Sequence, residues 1–207
     1  MEKSTPESTD RSLCLIRHGQ TDWNAEGRWQ GHADPPLSSL GRAQAEALAV
    51  ALEGDLGGAR VGLLACSDLG RTRQTAAPLE AKLGLVATLE PGLRELDIGE
   101  WSGLDREAIA VRDPELLARF EAGDPDARPP GGESRREIRR RVRLTVQKIV
   151  DLAPPGRIVL VSHLGVIRAL LPGAKPANAE FVWLSAAEVL TRRIRAEQPD
   201  SGSEGPL

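Results

Sequence analysis

Two of the three histidines in this 207-residue sequence stand directly behind apolar runs. His18 lies in Arg17-His18-Gly19-Gln20-Thr21-Asp22-Trp23-Asn24 and follows Leu13-Cys14-Leu15-Ile16, while His163 lies in Ser162-His163-Leu164-Gly165 and follows the run 157–161. A neutral imidazole is a nucleophile and proton carrier near pH 7, and a guanidinium beside it grips an anion through a planar fork. Gly19 lets the backbone turn sharply and is expected to leave N–H groups open to a ligand. A further cation, Arg71, comes a few residues after another apolar run, 61–66. These residue types and spacings describe an anion site with a nucleophile in it.

Such groups need elements that bring them together. The run 13–16 is continuous rather than alternating, the mark of a strand buried on both faces, and 61–66 and 157–161 read the same way. Residues 85–89 make a shorter strand. Ser38 or Ser39 caps a helix whose Leu40, Ala43, Ala47, Leu48 and Ala51 recur at helical spacing to near Gly54. Ser67 and Asp68 are capping residues for a second helix, 69–83, expected to kink or restart at Pro78. Two short helices, 105–111 and 114–121, fall within a cap-like insertion of about residues 99–132. A long helix over 133–152 sets Ile138, Val142, Val146 and Ile149 on one face, and a short one follows over 166–171. Strands at 181–184 and 189–194 form a closing pair. Strands alternating with helices predict an α/β three-layer sandwich, a mostly parallel sheet flanked by helices with its ligand at the carboxyl ends of the strands. One domain, 12–195, is expected between polar, disordered tails at 1–11 and 196–207.

The formal net charge is −3, with 27 Lys and Arg against 30 Asp and Glu, so no nucleic-acid footprint or basic membrane surface dominates. The run Arg135-Arg136-Glu137-Ile138-Arg139-Arg140-Arg141 keeps helical apolar spacing and interleaved acids, and reads as a solvated helix face. No apolar stretch is long enough to cross a bilayer and no apolar leader is present, which predicts a soluble, cytoplasmic protein. Cys14 and Cys66 sit in apolar runs without CxxC spacing and read as buried reduced thiols, although neighbouring strands could bring them together. Histidine spacing of the HExxH type is absent and the arginines repel a divalent cation, so no metal is expected; without GxxxxGK[ST], neither is a P-loop nucleotide site. No cofactor is called for.

Four stretches in order, Arg17 to Asn24, Ser67-Asp68-Leu69-Gly70-Arg71-Thr72-Arg73-Gln74-Thr75-Ala76, Leu93-Arg94-Glu95-Leu96-Asp97-Ile98-Gly99-Glu100-Trp101-Ser102-Gly103 and Val161-Ser162-His163, resemble the histidine phosphatase superfamily, the phosphoglycerate mutase-like proteins, over roughly residues 12–195. The resemblance implies the phosphoglycerate mutase-like sandwich and phosphoryl transfer. His18 matches the family nucleophile, which forms a phosphohistidine while its other ring nitrogen keeps a proton against a backbone carbonyl. Arg17 and Arg71 match the phosphate-binding arginines, and His163 the second histidine, whose protonated form a dianionic phosphate favours. Glu95 matches the proton donor to the leaving oxygen and then the base for water, ahead of its neighbours Asp97 and Glu100; that role calls for partial burial or closeness to the phosphate. Asn24 matches a neutral phosphate donor. Gln20 and Thr21 shape the loop, Gln30 and His32 are candidate substrate contacts, and His32 is placed nearer the rim.

One departure stands out. Where the family commonly has Ser-His-Gly-Gly, this chain has Leu164 before Gly165, which strains the pocket if position 164 needs positive φ and otherwise offers an apolar, substrate-facing wall. The compact chain and the Ser67–Ala76 motif resemble the phosphatase branch, implying hydrolysis of a small phosphomonoester. The alternatives are cofactor-dependent phosphoglycerate mutase-type transfer and a degenerate protein that only binds phosphorylated ligands. The loop 30–36 and the region 105–130 are expected to shape substrate choice, and the sequence leaves open whether the chain forms a homodimer.

Overall fold

In the computed structural model, which describes residues 11–189, the apolar runs become strands of one sheet. The elements in order are β1 (Ser12–Arg17), α1 (Asp22–Ala25), α2 (Ser39–Leu56), β2 (Val61–Cys66), α3 (Gly70–Leu83), β3 (Thr88–Leu89), α4 (Arg106–Arg112), α5 (Pro114–Glu121), α6 (Arg135–Leu152), β4 (Arg157–Ser162), α7 (Leu164–Leu170) and β5 (Phe181–Ser185). Short 3-10 turns occupy Pro91–Leu93 and Gly99–Trp101. The strand order is β3-β2-β4-β1-β5, with β5 alone antiparallel, so the expected α/β sandwich with a mostly parallel sheet is the fold that forms.

The two-residue period of each strand divides the core. Leu13, Leu15, Ile158 and Leu160 pack with α6 and α7, while Cys14, Ile16, Val159 and Val161 pack with α2 and α3. Packing decides where α6 forms: Ile138, Val142, Val146 and Ile149 are buried, at roughly 1.5–3 kcal/mol each. The capping box of Ser134 and Glu137 contributes only about 1 kcal/mol and sets the first residue. A third cluster, around Trp101, Ile109, Leu117 and Phe120, belongs to the region after β3 and lies apart from the sheet.

Several local expectations give way to longer-range bonds. Pro78 neither breaks nor restarts α3, whose buried Ala76 and Leu79 hold it against the core through the missing donor. Only Thr88 and Leu89 of the third strand pair, because Glu80 Oε1 takes the Ala87 N–H at 2.7 Å. The chain does not begin a second closing strand at Val189. Ser185 and Glu188 exchange a capping box, with bonds of 3.0 and 2.9 Å, and residues 186–189 turn helical. Residues 190–194 of that expected strand, and the tail at 196–207, lie outside the described residues, as does the N-terminal tail except Arg11, which is tied to the carbonyls of Val150 and Ala153. Cys14 and Cys66 are free, and β4 separates their strands. Two strand spacings, roughly 9–10 Å, exceed disulfide reach. Among the described residues no helix is long and apolar enough to cross a membrane.

Candidate active site

The parallel pairing of β1 with β4 sets Arg17 opposite Ser162, so the next residue of each strand emerges side by side. The His18 N–H donates to Ser162 O at 3.0 Å, and the His18 and His163 rings stand 5.2 Å apart edge to face. His18 Nδ1 meets Gly19 O at 2.7 Å; a carbonyl only accepts, so Nδ1 carries the proton and Nε2 keeps its lone pair. Burial pushes the His18 pKa down to about 3, with Arg71 and Arg17 adding to the shift and the Gly19 carbonyl opposing it. His163 is fully buried and held well below the usual histidine range, by burial first and then by Arg71 and His18. Without an anion beside it His163 is therefore neutral, and neither ring nitrogen has a partner among the described residues.

The loop backbone does not offer itself to an anion as the sequence suggested. Gly19 N–H donates to Thr75 Oγ1 at 3.0 Å and Gln20 N–H to Gln44 Oε1 at 2.9 Å. Gly19 has no positive φ; it is small because a Cβ would lie 2.5 Å from Gly41 O, where α2 packs on the loop.

Arg71 is 1% exposed, yet its guanidinium donates to Ala33 O and Gly31 O at 2.7 and 2.8 Å. Arg17 donates to Pro176 O at 3.0 Å, and the Nε of each arginine is buried without a partner. Burial lowers both guanidinium pKa values, but arginine stays charged. Ser67 and Asp68 do not cap α3. Asp34, from the distant loop, accepts the Gly70 N–H at 2.6 Å, while Asp68 pairs with both arms of Arg94.

Glu95 is half-buried, its Oε1 accepting from Leu96 N–H at 2.8 Å and its Oε2 from Gly165 N–H at 3.2 Å. It lines, with Arg17, His18 and Arg71, a cavity of about 360 Å³ that Asp97 and Glu100 do not reach. Ligand pockets start near that size, so there is room for more than a phosphoryl group. Asn24, Gln30 and Leu164 line it too. Asn24 Oδ1 accepts from the N–H and Oγ1 of Thr21 and from Asn178 Nδ2, which turns its NH2 the other way. Gln30 Oε1 is buried without a partner. His32 does not line the cavity; its Nε2 binds Glu95 O at 2.9 Å. Leu164 opens α7 with ordinary angles, since the only non-glycine positive φ among the described residues is Ala179 at 59°. The feared strain at position 164 is absent.

A family model described as the histidine phosphatase superfamily (branch 1) matches residues 13–196. The chain belongs to that superfamily. It is 37% identical over 171 residues to the probable phosphoglycerate mutase GpmB of Cronobacter sakazakii, covering 81% of this chain and 77% of that one. It is 39% identical over 168 residues to the glucosyl-3-phosphoglycerate phosphatase of Mycobacterium tuberculosis, covering 77% and 73%. A solved structure of the mycobacterial glucosyl-3-phosphoglycerate phosphatase with VO3 superposes with a TM-score of 0.75 at 36% identity, covering 84% of this chain and 92% of that one. Membership with such phosphatase relatives supports an enzyme that hydrolyses phosphomonoesters, ahead of the mutase alternative.

Several residues that hold this candidate site together carry no signal in the sequence that marks them as site residues. Arg141 donates to the carbonyls of Gly92 and Arg94 at 2.9 Å and Glu95 at 3.2 Å, with Glu133 anchoring its other side. Ser162 Oγ donates to Leu93 O at 2.9 Å, and Asn178 Nδ2 donates to His18 O at 3.0 Å. All three act on backbone carbonyls, which carry no residue-type signature. Gly165 is different, because a Cβ there would lie 2.1 Å from Glu95 Oε1. In the sequence the departure from Ser-His-Gly-Gly drew attention to Leu164, whereas the position that must stay small is the retained Gly165.

Proposed function

We propose that the chain hydrolyses small phosphomonoesters through a phosphohistidine at His18 Nε2. The observation that carries this reading is the 2.7 Å bond from His18 Nδ1 to Gly19 O, which aims an unprotonated Nε2 into a cavity bordered by two arginines. The Nε2 lone pair attacks phosphorus, the ester P–O bond breaks, and a proton on Glu95 passes to the leaving oxygen. Water then attacks the same phosphorus and gives its proton to Glu95; the P–N bond breaks, releasing phosphate and restoring His18. Arg17 and Arg71 hold the equatorial oxygens, where phosphoryl transfer needs positive charge. Neither ring nitrogen of His163 has a partner among the described residues, so its N–H serves a phosphate oxygen, and the dianion raises its proton affinity. Asn24 adds a neutral donor, while Gln30 and Leu164 face the remainder of the substrate.

Residues of about 99–132 act as a cap: their own cluster, Trp101, Ile109, Leu117 and Phe120, supports the wall that Phe120 contributes to the cavity. Cytoplasmic work fits the two cysteines, which burial holds as thiols, pushing Cys66 up to about 12. The test measures phosphate release from p-nitrophenyl phosphate beside isomerisation of 3-phosphoglycerate, with base-stable, acid-labile labelling of the protein as a third readout. Release with labelling lost in His18→Asn is expected. Substantial isomerisation with little release would favour the mutase, and no release while His18→Ala still binds phosphate would mark a binding protein.

A further inference from the structure

The arginine run at the start of α6 does not form one solvated face. Arg136 pairs with Asp126 and Arg141 turns inward to Glu133, whereas Arg135 and Arg139 face α7. There they meet Arg168, and the three line a groove of about 140 Å³ floored by Ile138 and Ala169. On α6 the spacing 135, 138, 139 and on α7 the spacing 165, 168, 169 are the stripes that two packed helices turn toward each other, and Pro172 just beyond α7 closes the groove. Among the described residues none of the three arginines has a carboxylate partner. Among those residues the Arg139 side chain makes no hydrogen bond, Arg168 donates to Ala174 O at 3.0 Å, and Arg135 donates to Phe120 O at 3.0 Å with its Nε buried and unpaired. Three cations this close repel one another, and Arg139 and Arg168 both depress the proton affinity of Arg135, after burial. Among the described residues only two backbone carbonyls and no carboxylate answer the three charges, which makes the groove a place for an oxyanion.

The groove adjoins the histidine pocket. Both are walled by Leu96 and Gly165, the Arg135 guanidinium stacks 4.5 Å over Phe120, which lines the pocket, and Arg168 is near enough for its charge to act on Arg17. At about 140 Å³ the groove is well below the roughly 300 Å³ at which whole-ligand pockets begin, so it suits one charged group rather than a second molecule. We propose that this groove is an oxyanion subsite that holds a second anionic group of the substrate, a carboxylate or a second phosphate, while the reacting phosphoryl group lies between the two histidines. The assignment rests on the phosphomonoester reading above and narrows its substrate class to esters with two anionic ends.

The test uses the full chain and matched pairs of phosphomonoesters. Phosphoglycolate, 3-phosphoglycerate and a longer phosphorylated hydroxy acid are each set against the counterpart lacking the carboxylate charge, such as glycerol 3-phosphate for 3-phosphoglycerate. Calorimetric Kd values on His18→Ala, and inhibition constants against p-nitrophenyl phosphate on the wild type, give the ratio within each pair. For at least one spacing the carboxylated member binds about tenfold tighter, the worth of one charge-assisted hydrogen bond. That ratio falls toward one in Arg139→Glu and recovers in Arg139→Lys. A ratio near one at every spacing, or a ratio that survives both Arg139→Glu and Arg168→Ala, overturns the subsite. Inorganic sulfate is the free-ion arm: two bound sulfates, one lost in Arg139→Glu, without any carboxylate preference, would make the groove a site for free anions and overturn the substrate assignment. Absence of phosphate release by the wild type would sink the hydrolase reading alone, since the calorimetric ratios are read without turnover.

Discussion

Gly165→Ala would place a methyl carbon 2.1 Å from Glu95 Oε1 and 3.1 Å from its carboxyl carbon. Ordinary contact begins near 3.4 Å, so the carboxylate must retreat by about 1.3 Å. The backbone itself accepts alanine, since Gly165 lies in α7 without positive φ and alanine favours a helix by about 1 kcal/mol. That gain offsets part of the bond from Gly165 N–H to Glu95, worth about 1.5–3 kcal/mol, so even its full loss leaves a net cost of about 0.5–2 kcal/mol. The melting temperature should therefore move by only a few degrees. Catalysis should not be spared, because misplacing a proton donor by about 1 Å costs on the order of a hundredfold, or about 2.7 kcal/mol in the barrier. The assay compares kcat/KM for glycerol 3-phosphate, whose alkoxide must be protonated as it leaves, with p-nitrophenyl phosphate, whose phenolate leaves unaided. The loss should fall mainly on the alkyl ester. The double variant Gly165→Ala, Glu95→Gln should be no worse than Glu95→Gln alone, since both act through one carboxylate. Equal losses on both esters, or additive losses in the double variant, would refute the argument that Gly165 is small to admit the carboxylate of Glu95.

Arg71→Lys keeps the charge but cannot donate at once to Gly31 O, Ala33 O and a phosphate oxygen, so inhibition by inorganic phosphate should weaken by about 10- to 100-fold; a change under threefold would show that charge alone suffices. The pH prediction concerns the fold. His18 has a folded pKa of about 3 against 6.5 when free, so below pH 6.5 the unfolded chain binds a proton that the folded chain does not. The stability that His18 contributes is fully present above about pH 6.5 and is lost as pH falls from there toward 3, with His163 shifted the same way. Between pH 7.5 and 5.0 that amounts to about 2 kcal/mol for His18. Urea midpoints at pH 7.5 and 5.0 should show it, and the difference should shrink in His18→Gln; an unchanged difference would place the acid sensitivity elsewhere.

What the sequence disclosed and what it hid divide along one physical line. The strands were legible because both faces of the sheet are covered, which writes continuous apolar runs into 13–16, 61–66 and 157–161. His18 and His163 were legible because each follows such a run. What could not be read is where a backbone N–H or carbonyl finds its partner across the fold. Gly19 looked like an open anion loop until Thr75, more than fifty residues away, took its N–H. Asp34 caps α3 in place of the adjacent Ser67 and Asp68, and Arg141 fixes Glu95 through three carbonyls. One signal was local: Ser185 and Glu188 make a capping box that the pattern Ser-x-x-Glu announces, and residues 186–189 turn helical behind it. The arginine run shows most plainly why a stretch cannot be given one role. Successive helical residues point about 100° apart, so five arginines within seven positions must face several surroundings. One of them stabilises the loop that carries Glu95, one pairs at the surface, and two turn toward Arg168 beside the histidine pocket.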